Sequence, residues 1–269
     1  MKIQLKDNGE IVMKNRTFYT WLGLTTLCVT ALTMVGAITA SAEALPEEQQ
    51  ETDVVWSQSD GIRPEIFLST NIAGIWSEPE MVTDDYYDNM HPVIDRDSGG
   101  TRWLFWTAYD NTRTEIRYTT GSAGEWEKSQ AVADEMKSNS GPSAIIDKND
   151  AVWVVWSASD GGLDDIYYAV NEDGEWSESR ILHEANEVPD TLPVVTLNDE
   201  EGMPVVTWKQ LQSDKYVSVT SVYDGSGWSN PVVIEETDEP ANEDSGADKI
   251  VLPDFINQSG MVFIRAYQN

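Results

Sequence analysis

Val152 to Ser157 reads VWVVWS, Asp165 to Val170 reads DIYYAV, and Trp176 opens a further segment running to Leu182. β-branched and aromatic residues crowd these runs, which is the composition of strands. The breaks are turn chemistry: Ser159-Asp160-Gly161-Gly162 and Asn171-Glu172-Asp173-Gly174 combine glycines that accept positive φ with Asx side chains that bond the local backbone. Outward from here the same pattern recurs. Trp56, Trp106, Trp156 and Trp208 lie 50, 50 and 52 residues apart, and Trp76, Trp126, Trp176 and Trp228 keep those separations. Pro92, Pro142, Pro193 and Pro253 form a third series in phase, with a longer last interval. Three registered series define a repeat of about 50 residues. Helical periodicity is absent from every segment.

Four short antiparallel strands per repeat, arranged about an axis, make a blade, so the fold class is all-β: a β-propeller of four complete blades, or of five with an incomplete last blade. With strands lettered A to D from the inside, the A strands are Pro92–Asp97, Pro142–Asp147, Pro193–Asn198 and Pro253–Gln258, and each D strand starts at a Trp of the second series. The repeats span about 54–91, 92–141, 142–192 and 193–252, with a partial unit at 253–269. Met261 to Tyr267 aligns with strand B of that last unit. Strand A at Pro253 is a candidate to complete the first blade, and the alternative leaves an unfinished seam open to a partner chain. The Trp series read most simply as wedges of core between sheets.

Ahead of the repeats, Lys14 and Arg16 precede an apolar run from Trp21 to Ile38 that ends in Ala40-Ser41-Ala42. That order is the pattern of a secretory signal peptide over 1–42, with Met13 as an alternative start, followed by a polar linker over 43–53. Export implies a secreted or periplasmic protein. The whole chain carries 47 acids, 17 bases and a formal charge of −30, and without the signal 45 acids and 13 bases leave −32. Such a field repels phosphate backbones and anionic lipid, which excludes nucleic-acid binding and membrane attachment after cleavage. Cys28, the single cysteine, lies in the signal segment, so thiol catalysis and zinc-thiolate sites are excluded from the remainder.

The turn Asn171-Glu172-Asp173-Gly174-Glu175-Trp176, with Gly124-Glu125-Trp126 and Gly74-Ile75-Trp76, resembles in compressed form the Asp-box of the sialidase-type β-propeller superfamily. The resemblance covers Val54 to Tyr267 and implies the propeller fold. As an enzyme, a member of that family uses three arginines on a substrate carboxylate, a Tyr–Glu nucleophile pair, an Asp acid and an Arg-Ile-Pro motif. Here Gly61-Ile62-Arg63-Pro64 places Pro directly after Arg, and only Arg63 and Arg113 hold equivalent B-to-C loop positions, Leu163 replacing the third. The resemblance therefore implies the fold without the catalytic set.

Candidate ligand-binding residues sit in loops expected on one face. The first D-to-A loop, Asp84 to Asn89, offers Tyr86, Tyr87 and Asp88, two aromatic rings beside carboxylates able to stack on and hydrogen-bond a sugar. The B-to-C loops add Arg63 and Arg113 with Asp60, Asp110, Asp160 and Asp214 at matching phase, the aspartates doubling as turn caps. Calcium is a possible cofactor at Asp95 and Asp97, in Asp-Arg-Asp-Ser-Gly, and at the repeat equivalent Asp147, although these also fit ordinary Asx-turns. The expected function is an exported, non-enzymatic propeller binding a glycan, peptide or protein. The alternatives are a divergent sialidase-like hydrolase or lyase, and an assembly protein forming homo-oligomers through an incomplete blade.

Overall fold

A computed structural model of the chain describes residues 3–5, 10–13, 51–122, 124–133, 135–198, 200–212, 215–234, 249–251 and 265–268. Most of the expected signal segment, the Pro253–Gln258 strand and Asp214 lie outside the described residues. The chain divides into two units. One contains a small antiparallel sheet in which Glu10–Met13 pairs with both Ile3–Leu5 and Lys249–Val251. The other contains four β-propeller blades, and every described element is a strand.

In the second blade Asp88–Arg96, Arg102–Tyr109 and Thr114–Ser122 follow one another outward, with Glu125–Trp126 and Gln130–Ala133 sharing the outer edge. The third repeats this with Ser138–Ile146, Val152–Ser159, Asp165–Glu172 and the outer pieces Glu175–Trp176 and Arg180–Ile181. The fourth is built from Asp190–Leu197, Pro204–Gln212, Lys215–Val222 and Val232–Ile234. In the first, Glu51–Ser59, Pro64–Ile72, Ile75–Trp76 and Glu80–Met81 are completed on the inside by Arg265–Gln268.

That innermost strand differs from the sequence reading. Arg265 stands opposite Val55 and Ala266 opposite Val54, the register that Val93 and Ile94 keep with Phe105 and Leu104 one blade on. Residues aligned with a second strand thus occupy the first-strand place, because that edge of Glu51–Ser59 is the one needing backbone partners. Glu51–Asp53, read as linker, are likewise strand. Asp53 is fully buried because Arg96 Nε and Arg102 Nε donate to its Oδ2 at 2.8 and 2.9 Å and Thr70 Oγ1 to its Oδ1 at 2.6 Å.

The first Trp series is buried throughout, at 0–1% exposure, and Trp106, Trp156 and Trp208 form wedges between blades. Trp106 packs with Val55, Ile66 and Leu68 of the preceding blade, Trp156 with Val93, Phe105 and Ile116, and Trp208 with Val155 and Ile166. Each of these three indoles donates Nε1–H to the start of its own blade's innermost strand: to Asn89 Oδ1 at 2.7 Å, Asn139 Oδ1 at 3.1 Å and Asp190 Oδ1 at 2.9 Å. A buried N–H without an acceptor costs about 1–3 kcal/mol, which accounts for the repeated Asn/Asn/Asp. The second series is half-buried, with Trp176 edge-on to Phe105 and Tyr118, and Trp228 edge-on to Tyr168.

The innermost strands of the second, third and fourth blades share a bulge before proline. Register shifts at Met90/Val93, Ser140/Ser143 and Thr191/Val194, and His91, Gly141 and Leu192 take φ of 53°, 62° and 54°. Such left-handed geometry is strained for residues other than glycine, and a bulge re-aims the side chain it carries.

Candidate functional site

The D-to-A and B-to-C loops meet on one face, as the sequence order requires. Lys137 Nζ donates to the Asp160 carbonyl at 2.9 Å, Asn139 Nδ2 to the Thr114 carbonyl at 2.9 Å, and the Asp190 N–H to the Asp164 carbonyl at 2.7 Å. At three positions a carboxylate opens the third strand here: Glu65, Glu115 and Asp165, 50 residues apart. Their surroundings differ blade by blade.

Glu65 is 1% exposed and accepts from Thr83 Oγ1 at 2.5 Å and Asn89 Nδ2 at 2.9 Å. Burial pushes its pKa up against those two donors. Glu115 is clamped between Arg113 Nη2 at 3.0 Å and Arg117 Nη1 at 2.9 Å. The Arg117 guanidinium also lies 4.8 Å from the centroid of the Tyr87 ring, and its Nη2 donates to the Ser129 carbonyl at 3.1 Å. Tyr86 stacks on Tyr87 with centroids 4.2 Å apart and donates its hydroxyl to that of Tyr87 at 2.6 Å.

Tyr86, Tyr87 and Arg113 of the sequence candidates are therefore joined into one cluster through Glu115 and Arg117. The two tyrosines have opposite fates: Tyr86 is 63% exposed, whereas Tyr87 is 7% exposed and belongs to the core around Trp106. Burial, together with the Tyr86 hydroxyl, pushes the Tyr87 phenol well above its ordinary pKa. Asp88 is half-buried at the start of a strand opposite Tyr109. Arg63 stays in the first blade's own turn, where Asp60 Oδ1 accepts the Ile62 and Arg63 N–H groups at 2.7 and 2.9 Å. Asp110 accepts the Thr112 hydroxyl at 2.6 Å and caps the Thr112 and Arg113 N–H groups in the same way. The Thr112 hydroxyl first and then these N–H groups hold Asp110 below the usual carboxylate range, as the Arg63 and Ile62 N–H groups hold Asp60. At Asp160 the turn is instead held by Ser159 Oγ, which accepts the Gly161 N–H, and the carboxylate sits 3.5 Å from Lys137 Nζ.

In the third blade Asp165 borders a cavity of about 350 Å³, lined also by Met136, Ala158, Ser159, Leu163, Tyr167 and Asn186. Next to it, Asp190 is fully buried and receives Trp208, Gln210 Nε2 at 2.9 Å and Asn186 Nδ2 at 2.7 Å, with His183 Nε2 3.1 Å from its Oδ2. The Asp190 bond raises the His183 pKa above its ordinary value despite burial, while Asp190 is lowered because its donors outweigh desolvation. Asp165 is raised, first by burial and then by the Asp190 charge.

The calcium candidates lie at the opposite ends of the strands. Asp97 Oδ1 accepts the Thr101 N–H and its Oδ2 accepts Trp103 Nε1, and Asp147 does the same for Ala151 and Trp153. Asp95 bridges two blades by accepting the Ile146 N–H at 2.9 Å, and its burial lifts its pKa to about 6. Among the described residues no group of three or more His, Asp or Glu side chains is arranged to hold a metal ion, and no helix is long and apolar enough to cross a membrane.

Sequence reasoning missed Glu115, Arg117, Asp165, His183 and Asp190 as site members. The readable signal was the 50-residue phase of Glu65, Glu115 and Asp165, which parallels the Trp series.

No family model matches the chain, and no curated protein resembles it in sequence. Among solved structures, a protein of unknown function from Dyadobacter fermentans superposes with a TM-score of 0.53 at 10% identity, over 66% of this chain and 65% of that one. An endo-arabinase from Bacteroides thetaiotaomicron gives 0.48 at 14% identity, over 68% and 77%, and a Hadza microbial sialidase gives 0.44 at 12%, over 62% and 45%. The chain spans less than two thirds of the length of the first of these structures. At 10% identity the likeness to the Dyadobacter protein is one of fold alone.

Proposed function

We propose that the chain is an exported, non-enzymatic β-propeller module that binds a glycan through its loop face. The observation that carries this reading is the Tyr86–Tyr87 stack, in which an exposed ring rests on a buried one fixed by Arg117. A pre-positioned aromatic face loses little freedom when a sugar ring lies on it, and Arg113, linked to it through Glu115 and Arg117, is a source of polar donors. Against chemistry at this cluster stand the state of Tyr87, whose phenol is buried and held protonated, and of Glu115, whose oxygens are both engaged by arginine. A nucleophile pair needs the reverse: an accessible phenol with a free carboxylate as its base.

The test is a glycan array probed with the protein and with Tyr86→Ala, which changes an exposed residue. Specific binding lost in the variant supports the reading, and no bound glycan, or binding indifferent to Tyr86, refutes it. Turnover of fluorogenic sialosides or a broad glycoside panel, abolished by Tyr87→Phe, would establish the hydrolase reading instead.

A further inference from the structure

The second blade shows what the loop-face carboxylate takes as a partner. Both oxygens of Glu115 are satisfied by guanidinium groups of the chain itself, Arg113 at 3.0 Å and Arg117 at 2.9 Å. One repeat later Leu163 stands at the place of Arg113 and Tyr167 at that of Arg117, while the carboxylate is kept as Asp165. Leu163 and Tyr167, at the sequence places of the two arginines, line with Asp165 the cavity of about 350 Å³. Asp165 Oδ1 lies buried on its wall and makes no hydrogen bond among the described residues.

We infer that the third blade carries a socket for a guanidinium group supplied from outside the chain. Asp165 receives its N–H donors, as Glu115 does from Arg113 and Arg117. Met136, Ala158 and Leu163 offer apolar wall for an unbranched methylene stem, and the exposed Gly162 and Leu163 form the rim. The volume is at the small end of ligand pockets, which suits one such side chain. The fixed fork of a guanidinium matches a carboxylate better than an ammonium does, so arginine chemistry is preferred to lysine. Lys137, at that rim, is held on the Asp160 carbonyl and carboxylate, and His183 acts on Asp165 through its charge. The socket is separate from the Tyr86 platform and stands or falls independently of glycan binding.

Titration calorimetry with N-acetyl-arginine amide and its neutral isostere N-acetyl-citrulline amide tests this directly. The arginine compound is expected to bind at least about tenfold tighter, and Asp165→Asn to erase that preference. Leu163→Arg should place a guanidinium against Asp165 from within, as Arg113 does for Glu115, and weaken binding by a similar factor. Melting curves identify a variant that fails to fold, and the other variant then carries the test. A blocked Gly-Arg-Gly peptide distinguishes the sources: tenfold tighter binding than the amide assigns the site to peptide-borne arginine, and equal binding to a free guanidine. No binding, equal affinity for arginine and citrulline compounds, or a preference that survives in both variants overturns the inference.

Discussion

Asp53→Asn should be among the most destabilising single-atom exchanges in the protein. The Asp53 carboxylate is inaccessible to solvent, and the side chains of the two arginines on it are only 8% and 12% exposed. Burial opposes the Arg96 charge, and Asp53 and Glu51 outweigh it in the native protein. A guanidinium stays ionised in proteins even when such a partner is removed. The exchange therefore leaves two buried cations sharing a neutral amide whose NH2 end can accept from neither. Breaking a buried ion pair from one side costs about 3–5 kcal/mol, most of it the desolvation of the charge left behind. Glu51, also on Arg96 but one-third exposed, provides the internal comparison. Its replacement by Gln should cost about 1 kcal/mol or less and depend on ionic strength, as exposed pairs do. Equilibrium urea denaturation at low and moderate salt measures both, urea being used because it adds no ions. A loss below about 1 kcal/mol for Asp53→Asn, or equal losses for the two variants, would refute the assignment of this network as a buried electrostatic joint between the first two blades.

Stability should depend on pH through His183 and Asp190: the raised imidazole contributes fully below its ordinary pKa near 6.5 and loses that contribution as pH climbs through its folded value, while the lowered Asp190 contributes above its ordinary value near 3.9 and loses it in acid. Thermal melts across pH should show the alkaline decline flattened in His183→Gln. Asn139→Ala removes the acceptor of buried Trp156 Nε1 and donors to the Thr114 and Met136 carbonyls, and should cost about 2–4 kcal/mol in chemical denaturation. Gly141→Ala meets no atom within 4 Å and should cost about 1 kcal/mol for its left-handed backbone, whereas Gly121→Ala drives a Cβ to 2.7 Å from the Glu125 carbonyl oxygen and should cost about 1–3 kcal/mol. Equal melting temperatures for the two alanine variants would contradict this ordering.

The fold was legible because propeller packing imposes a period, and a period survives in a single sequence. Trp106, Trp156 and Trp208 recur because each fills the same kind of wedge, and Trp56, in phase with them, is equally buried. What escaped reading depended on partners far along the chain. Asp53 looked like linker because its neighbours are polar, and its burial is set by Arg96 and Arg102, more than 40 residues downstream. At the site, adjacency misled: Tyr86 and Tyr87 look alike in sequence and stack on one another, and only the position of the Trp106 core decides which of the two rings is covered. Arg117 was invisible as a site residue because its meaning comes from Tyr87 above it and Glu115 beside it.

The strand Arg265–Gln268 pairs with Glu51–Ser59 across more than two hundred intervening residues. Synthesis proceeds from the amino end, so the first blade is the one whose inner edge waits longest for its partner, while the next three can form from local segments as they emerge. Until then Val54 and Val55 present an open β edge to the surroundings, a template for other extended chains. The first blade therefore depends on Arg265–Gln268: losing that one strand exposes the earliest-made part of the propeller rather than the latest.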